Sequence, residues 1–373
     1  MSTFRDLGLN KNYVKSLKEL GIKVPTEIQA QAIPILMASS TDFVGLAQTG
    51  TGKTAAFGLP ILHKINPNLE EVQGLIIAPT RELVQQIKKQ LFKFTKYNDT
   101  KIFVEGVYGG EKIAIQIKNL QRTTHIIVAT PGRLVDLIER NIVNLKHINI
   151  VVLDEADEML SMGFKQDLTT ILQATTNKNR NTWLFSATMP EDLKVIVKRY
   201  ISDKAARIAV NRTSIVNENI SHFFVETTIP EKPRTLMHLL EDREEERGII
   251  FCRTKAGAQA LKQLLQKEGF NVDALEGDMQ QRERDKVMRA FKNTSLQILI
   301  STDVSARGID VNNLGFVIHH QLPEHIEYYT HRSGRTARAG KKGESIALVL
   351  SNELQRVKTI EKTLQIKFKA LTL

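Results

Sequence analysis

Short apolar, β-branched runs recur along the chain, separated by stretches whose apolar residues fall at helical spacing. In the first half the runs are FVGLA (43–47), GLIIAPT (74–80), KIFVEGVYG (101–109), HIIVAT (125–130), INIVVLDEAD (148–157) and TWLFSAT (182–188). In the second half they are ISHFFVET (220–227), GIIFCRT (248–254), NVDALEG (271–277), LQILIST (296–302), LGFVIHH (314–320) and ESIALVL (344–350). Stretches such as RELVQQIKKQLFKF and AGAQALKQLLQKEG supply the 3.6-residue period between them. Continuous apolar strands alternating with helices predict parallel sheets covered by helices on both faces. Two such series predict two α/β domains. The polar segment NRTSIVNEN predicts the joint. The expected domains are therefore 1–209 and 219–373, with a linker over 210–218.

Composition adds exclusions. The 373 residues are 42% hydrophobic and 25% charged, ordinary for a globular chain and unlike a disordered, collagenous or disulfide-built one. No window approaches ~20 uninterrupted apolar residues, so no membrane span is expected. The N-terminus lacks the apolar core of a secretory signal. The single cysteine, Cys252, has no internal disulfide partner, which predicts a reducing, cytoplasmic setting. The net charge of +11 is spread along the chain. Residues 1–210 hold 27 basic and 20 acidic groups, and residues 211–373 hold 25 and 21. A basic excess suits a polyanionic partner without identifying one.

The chemistry concentrates in two places. AQTGTGKT (47–54) follows the first apolar run. Gly50 and Gly52 let the backbone turn so that the amides of Gln48, Thr49, Gly50, Thr51 and Gly52 face a phosphate. Lys53 would reach the β- and γ-phosphates, and the Thr54 hydroxyl would bind Mg²⁺. The strict phosphate-loop pattern opens on glycine where this chain has Ala47. In VVLDEAD, Asp154 ends an apolar run, at the strand end where doubly wound sheets bind ligands. It would hold Mg²⁺, and Glu155 would deprotonate the attacking water. Together the two motifs predict hydrolysis of a nucleoside triphosphate.

With these motifs the sequence closely resembles the DEAD-box RNA helicases of helicase superfamily 2. The resemblance spans the chain from Phe4 to about Val349. It rests on PTEIQ (25–29), AQTGTGKT, PTREL (79–83), Gly109-Gly110, TPGR (130–133), DEAD (154–157), SAT (186–188), IIFCRT (249–254), TDVSARGID (302–310) and HRSGRTARAG (331–340). It implies two RecA-like domains, ATP with Mg²⁺, and RNA as partner. Gln29 resembles the adenine-selecting glutamine, a role its carboxamide suits by offering a donor and an acceptor. Phe4 resembles the isolated aromatic near the base, and Asp310 the ribose contact. Arg335 and Arg338 resemble the arginine fingers. Their spacing of three leaves room for one helix face or turn. Asp157, Ser186, Thr188 and His331 resemble the network coupling the domains.

The resemblance also carries over RNA contacts, at Arg81, Gly110, Thr130 and Arg133 in the first domain and Arg253, Gln281, Arg284 and Thr302 in the second. Such residues suit phosphate and 2′-hydroxyl recognition with little sequence specificity. The implied activity is RNA-stimulated ATP hydrolysis coupled to local, non-processive unwinding, by a monomer whose two domains close on ATP and RNA. Three positions depart from the family pattern. Ile22 stands where an aromatic usually stacks on adenine, Glu276 replaces a common histidine, and Ala337 replaces a usual glycine. An ATP-gated clamp that holds RNA for partners, with unwinding incidental, and a DNA-directed helicase remain open beside the main reading. The end at Leu373, just past the second domain, suggests a minimal helicase core or a truncated chain.

Overall fold

The alternation of apolar runs and helices becomes two seven-stranded sheets in the computed structural model, which describes residues 3–38, 40–48, 50–210, 219–244, 246–306, 314–337 and 341–372. The chain divides into two units, Met1–Val210 and Asn211–Leu373. In the first, the strands are β1 (Phe43–Leu46), β2 (Gly74–Ile77), β3 (Val104–Val107), β4 (Ile126–Ala129), β5 (Ile150–Asp154), β6 (Asn181–Ser186) and β7 (Ala206–Ala209). In the second they are β8 (Ile220–Glu226), β9 (Gly248–Phe251), β10 (Val272–Leu275), β11 (Ile298–Ser301), β12 (Phe316–His319), β13 (Gly343–Val349) and β14 (Phe368–Ala370). Spatial order is β3-β4-β2-β5-β6-β1-β7 in one sheet and β10-β11-β9-β12-β13-β8-β14 in the other. Every strand pairing among the described residues is parallel. Replacing each strand of the first order by the strand seven places later in the chain gives the second order.

Burial on both faces explains the continuous apolar runs. Along β2, Ile76 packs into one apolar cluster while Leu75 and Ile77 pack into another. In β5, Val152 and the pair Val151 and Leu153 divide the same way, as the two-residue period of a strand requires. Two strands lie outside the twelve runs read from sequence. β7 and β14 occupy sheet edges, and their side chains are mostly half-buried or exposed. An edge strand covered on little of its surface needs no apolar run. Among the described residues, no helix is long and apolar enough to cross a membrane.

The second unit buries His222 and His319 and half-buries His320. His222 Nδ1 lies 2.7 Å from the Tyr329 hydroxyl, and its Nε2 is buried without a hydrogen-bond partner. His319 stacks on Tyr329 at 4.6 Å, with its Nε2 3.0 Å from the Ser345 hydroxyl. Burial lowers His222 and His320 to about 4. Burial, followed by the Arg332 charge, holds His319 well below the ordinary range. Folding therefore favours the neutral rings. That stability is complete above about pH 6.5 and is lost as pH falls toward 4. His222 alone makes the unit about 2 kcal/mol less stable at pH 5 than at pH 8. Amide exchange of β8 and β13 in the full chain should accelerate accordingly, and His222→Gln should flatten the dependence. Exchange that tracks only the intrinsic chemical rate between these pH values would exclude the effect.

Candidate active site and nucleic-acid interface

The phosphate-loop sequence connects β1 to the helix Lys53–Lys64, whose first residue is Lys53. Gly50 and Gly52 have φ of 80° and 91°, the left-handed region that favours glycine. A Cβ on Gly52 would also come within 2.3 Å of Gln29 Nε2. The Lys53 side chain is buried, and its ammonium donates to the Ala47 carbonyl at 2.9 Å. Thr51 Oγ1 donates to the Gln48 carbonyl at 2.7 Å, closing the loop on itself. Thr54 follows on the helix and is half-buried. Thr49 lies outside the described residues.

Gln29 sits against this loop. Its Nε2 donates to the Gly52 carbonyl at 3.0 Å, and its Oε1 accepts from the Thr26 amide at 3.0 Å. Thr26 Oγ1 donates to the Thr51 carbonyl at 2.7 Å. The donor and acceptor expected to read a base thus hold the phosphate loop to the segment PTEIQ. Phe4 is buried in the apolar cluster that includes Leu7, Tyr13 and Ile28.

Asp154 ends β5 and is 2% exposed. Its Oδ1 accepts the Glu155 amide at 3.0 Å. Burial pushes its carboxyl up to about 7, against the pull of the nearby Lys53 ammonium. A buried carboxyl so disfavoured as an anion suits a cation. Among the described residues no group of three or more His, Cys, Asp or Glu could hold a metal by itself. One carboxylate with the Thr54 hydroxyl is a donor set that fits Mg²⁺, which keeps water and phosphate oxygens around it. Glu155 caps the helix Ala156–Ser161 with φ of 51°, a strained conformation for a residue with a Cβ.

Three of the expected coupling residues bond to one another. Asp157 Oδ2 accepts both the amide and the hydroxyl of Thr188 at 2.8 Å. Ser186 accepts the Asp157 amide at 3.2 Å and donates to the Thr188 carbonyl at 2.8 Å. His331 belongs to the other unit, on the helix Ile326–Ser333.

That helix stops at Ser333, and Arg335 stands in the turn beyond it, one of the two placements its spacing left open. Arg338 and Asp310 lie outside the described residues. Ala337, at the usual glycine position, has φ of 54°, a left-handed conformation that glycine adopts without strain. Arg332 faces inward and is 2% exposed. Its Nε and Nη2 donate to the two carboxylate oxygens of Asp303, Nη2 at 2.7 Å, and Nη1 donates to the Gln321 carbonyl at 2.8 Å. This pair ties TDVSARGID to HRSGRTARAG. The motif HRSGRTARAG gives no sign in sequence that Arg332 turns into the core.

The expected RNA contacts occupy strand ends and helix starts. Arg81 opens the helix Arg81–Phe94, with its guanidinium 5.0 Å from the Tyr108 ring centre. Gly110 turns after β3 with φ of 81°. Thr130 caps the helix Pro131–Glu139. Arg133, on that helix, donates to the Glu111 carbonyl at 3.2 Å and to Gln116 Oε1 at 3.0 Å. In the second unit, the Arg253 amide donates to Gln321 Oε1 at 3.1 Å. Gln281 donates to Asp285 at 2.8 Å, and Arg284 to the Ser305 carbonyl at 2.9 Å. Thr302 is buried and donates to the Ser305 hydroxyl at 3.0 Å. Glu276, at the histidine position, is buried and accepts the Asp278 amide at 2.6 Å. Ile22 is half-buried against the first apolar cluster.

Comparison with known proteins agrees with these motifs. Residues 26–196 match the family described as DEAD/DEAH box helicase, and residues 231–340 match the helicase conserved C-terminal domain. The chain is 42% identical over 363 residues to the DEAD-box ATP-dependent RNA helicase CshA of Bacillus cereus, covering 97% of this chain and 68% of that protein. It is 39% identical to CshA of Geobacillus kaustophilus over 371 residues, covering all of this chain and 78% of that one. The solved structure of S. cerevisiae Dbp5 bound to RNA and ADP BeF3 superposes with a TM-score of 0.90 at 31% identity, covering 100% and 96% of the two chains. Mss116p bound to ssRNA and AMP-PNP gives 0.89 at 29% identity, covering 100% and 80%. With both family domains matched in order and each built on a parallel sheet, the chain belongs to the DEAD-box helicases of superfamily 2 and is an ATP-hydrolysing RNA helicase.

Proposed function

We propose that the chain performs RNA-stimulated ATP hydrolysis that separates short RNA duplexes locally, without travelling along the strand. The observation that supports this most is the meeting of Lys53 and Asp154 at the carboxyl ends of β1 and β5, where burial and the lysine charge act on one carboxylate. Lys53 and the amides of Gln48 to Gly52 bind the phosphates. Asp154 and Thr54 would hold Mg²⁺, which when bound neutralises charge on the β- and γ-phosphates. Glu155 takes the proton of the attacking water. Arg335 and Arg338 stabilise the charge that develops during transfer. Gln29, Phe4 and Asp310 select the nucleoside. Asp157, Ser186, Thr188 and His331 couple the two units.

RNA is bound by its backbone, through Arg81, Gly110, Thr130 and Arg133 and through Arg253, Gln281, Arg284 and Thr302. The working form is a monomer. The molecules bound in two related structures, RNA with ADP BeF3 in Dbp5 and ssRNA with AMP-PNP in Mss116p, favour this ligand pair.

Phosphate release at fixed salt, without nucleic acid, with single-stranded RNA, and with DNA of the same sequence, tests the reading. RNA is expected to stimulate strongly and DNA weakly. Equal stimulation by DNA would overturn RNA selectivity.

A further inference from the structure

The helix Ile113–Leu120 is rich in isoleucine, yet its one fully buried residue is polar. Gln116 is 0% exposed. A buried carboxamide is costly unless bonded, and the bonds of this one go to the same short loop and to the arginine beside it. Nε2 donates to the Tyr108 carbonyl and to Glu111 Oε2, both at 2.9 Å. Oε1 accepts from Arg133 Nη1 at 3.0 Å. Arg133 in turn donates to the Glu111 carbonyl. Residues 108 and 111 bracket Gly109 and Gly110, and neither glycine has a side chain to anchor it. Tyr108 extends the chain of contacts: its hydroxyl accepts from Gln85 Nε2 at 3.1 Å, and its ring lies under the Arg81 guanidinium.

We infer that Gln116 is a positioning residue for RNA, fixing the Gly109-Gly110 turn in register with Arg81 and Arg133. The inference rests on the proposed RNA face and adds to it a buried residue that touches no RNA. Backbone amides bind phosphate only when the turn that presents them is held in place. Gln116 supplies that hold through both ends of the turn. Tyr108 passes it on to Arg81 by the ring contact.

Gln116→Met keeps the volume and removes all three bonds. In the full chain it should raise the RNA concentration for half-maximal ATPase stimulation about tenfold, with kcat at saturating RNA retained. Gln116→Glu keeps the acceptor for Arg133 but loses the donor to Tyr108 and sets a carboxylate against Glu111. It should raise the same concentration, and the added substitution Glu111→Gln should recover part of the loss. Arg81→Ala serves as the reference, because it tests the RNA face itself. If Arg81→Ala weakens RNA and neither Gln116 variant does, the positioning role is wrong. If Arg81→Ala also leaves RNA affinity unchanged, the RNA face is wrong and the inference falls with it. A loss of kcat without a change in RNA affinity would also overturn it.

Discussion

Glu155→Gln is expected to lower RNA-stimulated turnover of ATP by about 10²- to 10⁴-fold while leaving ATP-dependent retention of RNA intact. The geometry makes the substitution informative. The Glu155 amide donates to Asp154, and its carbonyl accepts the Met159 amide at 3.1 Å, so the backbone is held on both sides. Glutamine matches glutamate in volume and adopts the same left-handed conformation at similar cost. What changes is the proton acceptor. Single-turnover phosphate release and filter retention of labelled RNA with ATP separate the two effects. Turnover within about threefold of the unsubstituted chain would mean that another group takes the proton.

Asp303→Ala is expected to destabilise the second unit by about 3 kcal/mol. Arg332 would remain 98% buried with its charge, keeping the Gln321 carbonyl but losing both carboxylate oxygens. The Asp303 side chain is 24% exposed, which places the loss at the low end for a broken buried pair. Removing both partners should be far milder, since an apolar pair of similar volume asks for no compensation. Asp303→Leu with Arg332→Met should therefore recover stability in urea unfolding of the full chain. If the double variant is as unstable as Asp303→Ala, packing and not the stranded charge is responsible. ATPase activity of the double variant would then report what the pair contributes beyond stability.

The strands buried on both faces were legible in sequence because nearly every residue in them is apolar. Gly248–Phe251 is buried throughout and has no polar side chain, and in the equally buried Ile298–Ser301 only the final residue, Ser301, is polar. β7 and β14 were not legible. ARIA and FKA at sheet edges carry half-exposed and charged positions that read as loop. The phosphate loop and DEAD motif were legible because their chemistry depends on residue type at short spacing. Direction was not. Nothing in HRSGRTARAG says that Arg332 turns inward while Arg335 stands in the turn beyond the helix. Partners distant in sequence decide it, Asp303 and Gln321 for Arg332. Gln29 and Gln116 show the same limit. Each carboxamide is placed by backbone groups brought to it by the fold, at Gly52 and at Tyr108.

The shared strand order of the two sheets gives the chain the same scaffold twice, and among the described residues only the first copy carries the phosphate loop. β1 leads through glycines to a helix opening on Lys53, and β8 leads to a helix opening on Lys232. In the second copy the amides of Glu231 and Lys232 are spent on the Thr228 carbonyl, and Pro230 and Pro233 offer none. The Thr228 hydroxyl is given to the Glu231 carboxylate. An arriving phosphate would meet a fixed negative charge and a turn already closed on itself. Among the described residues the duplicated frame therefore carries one phosphate loop, and at the matching corner of the second copy the chain has closed on itself.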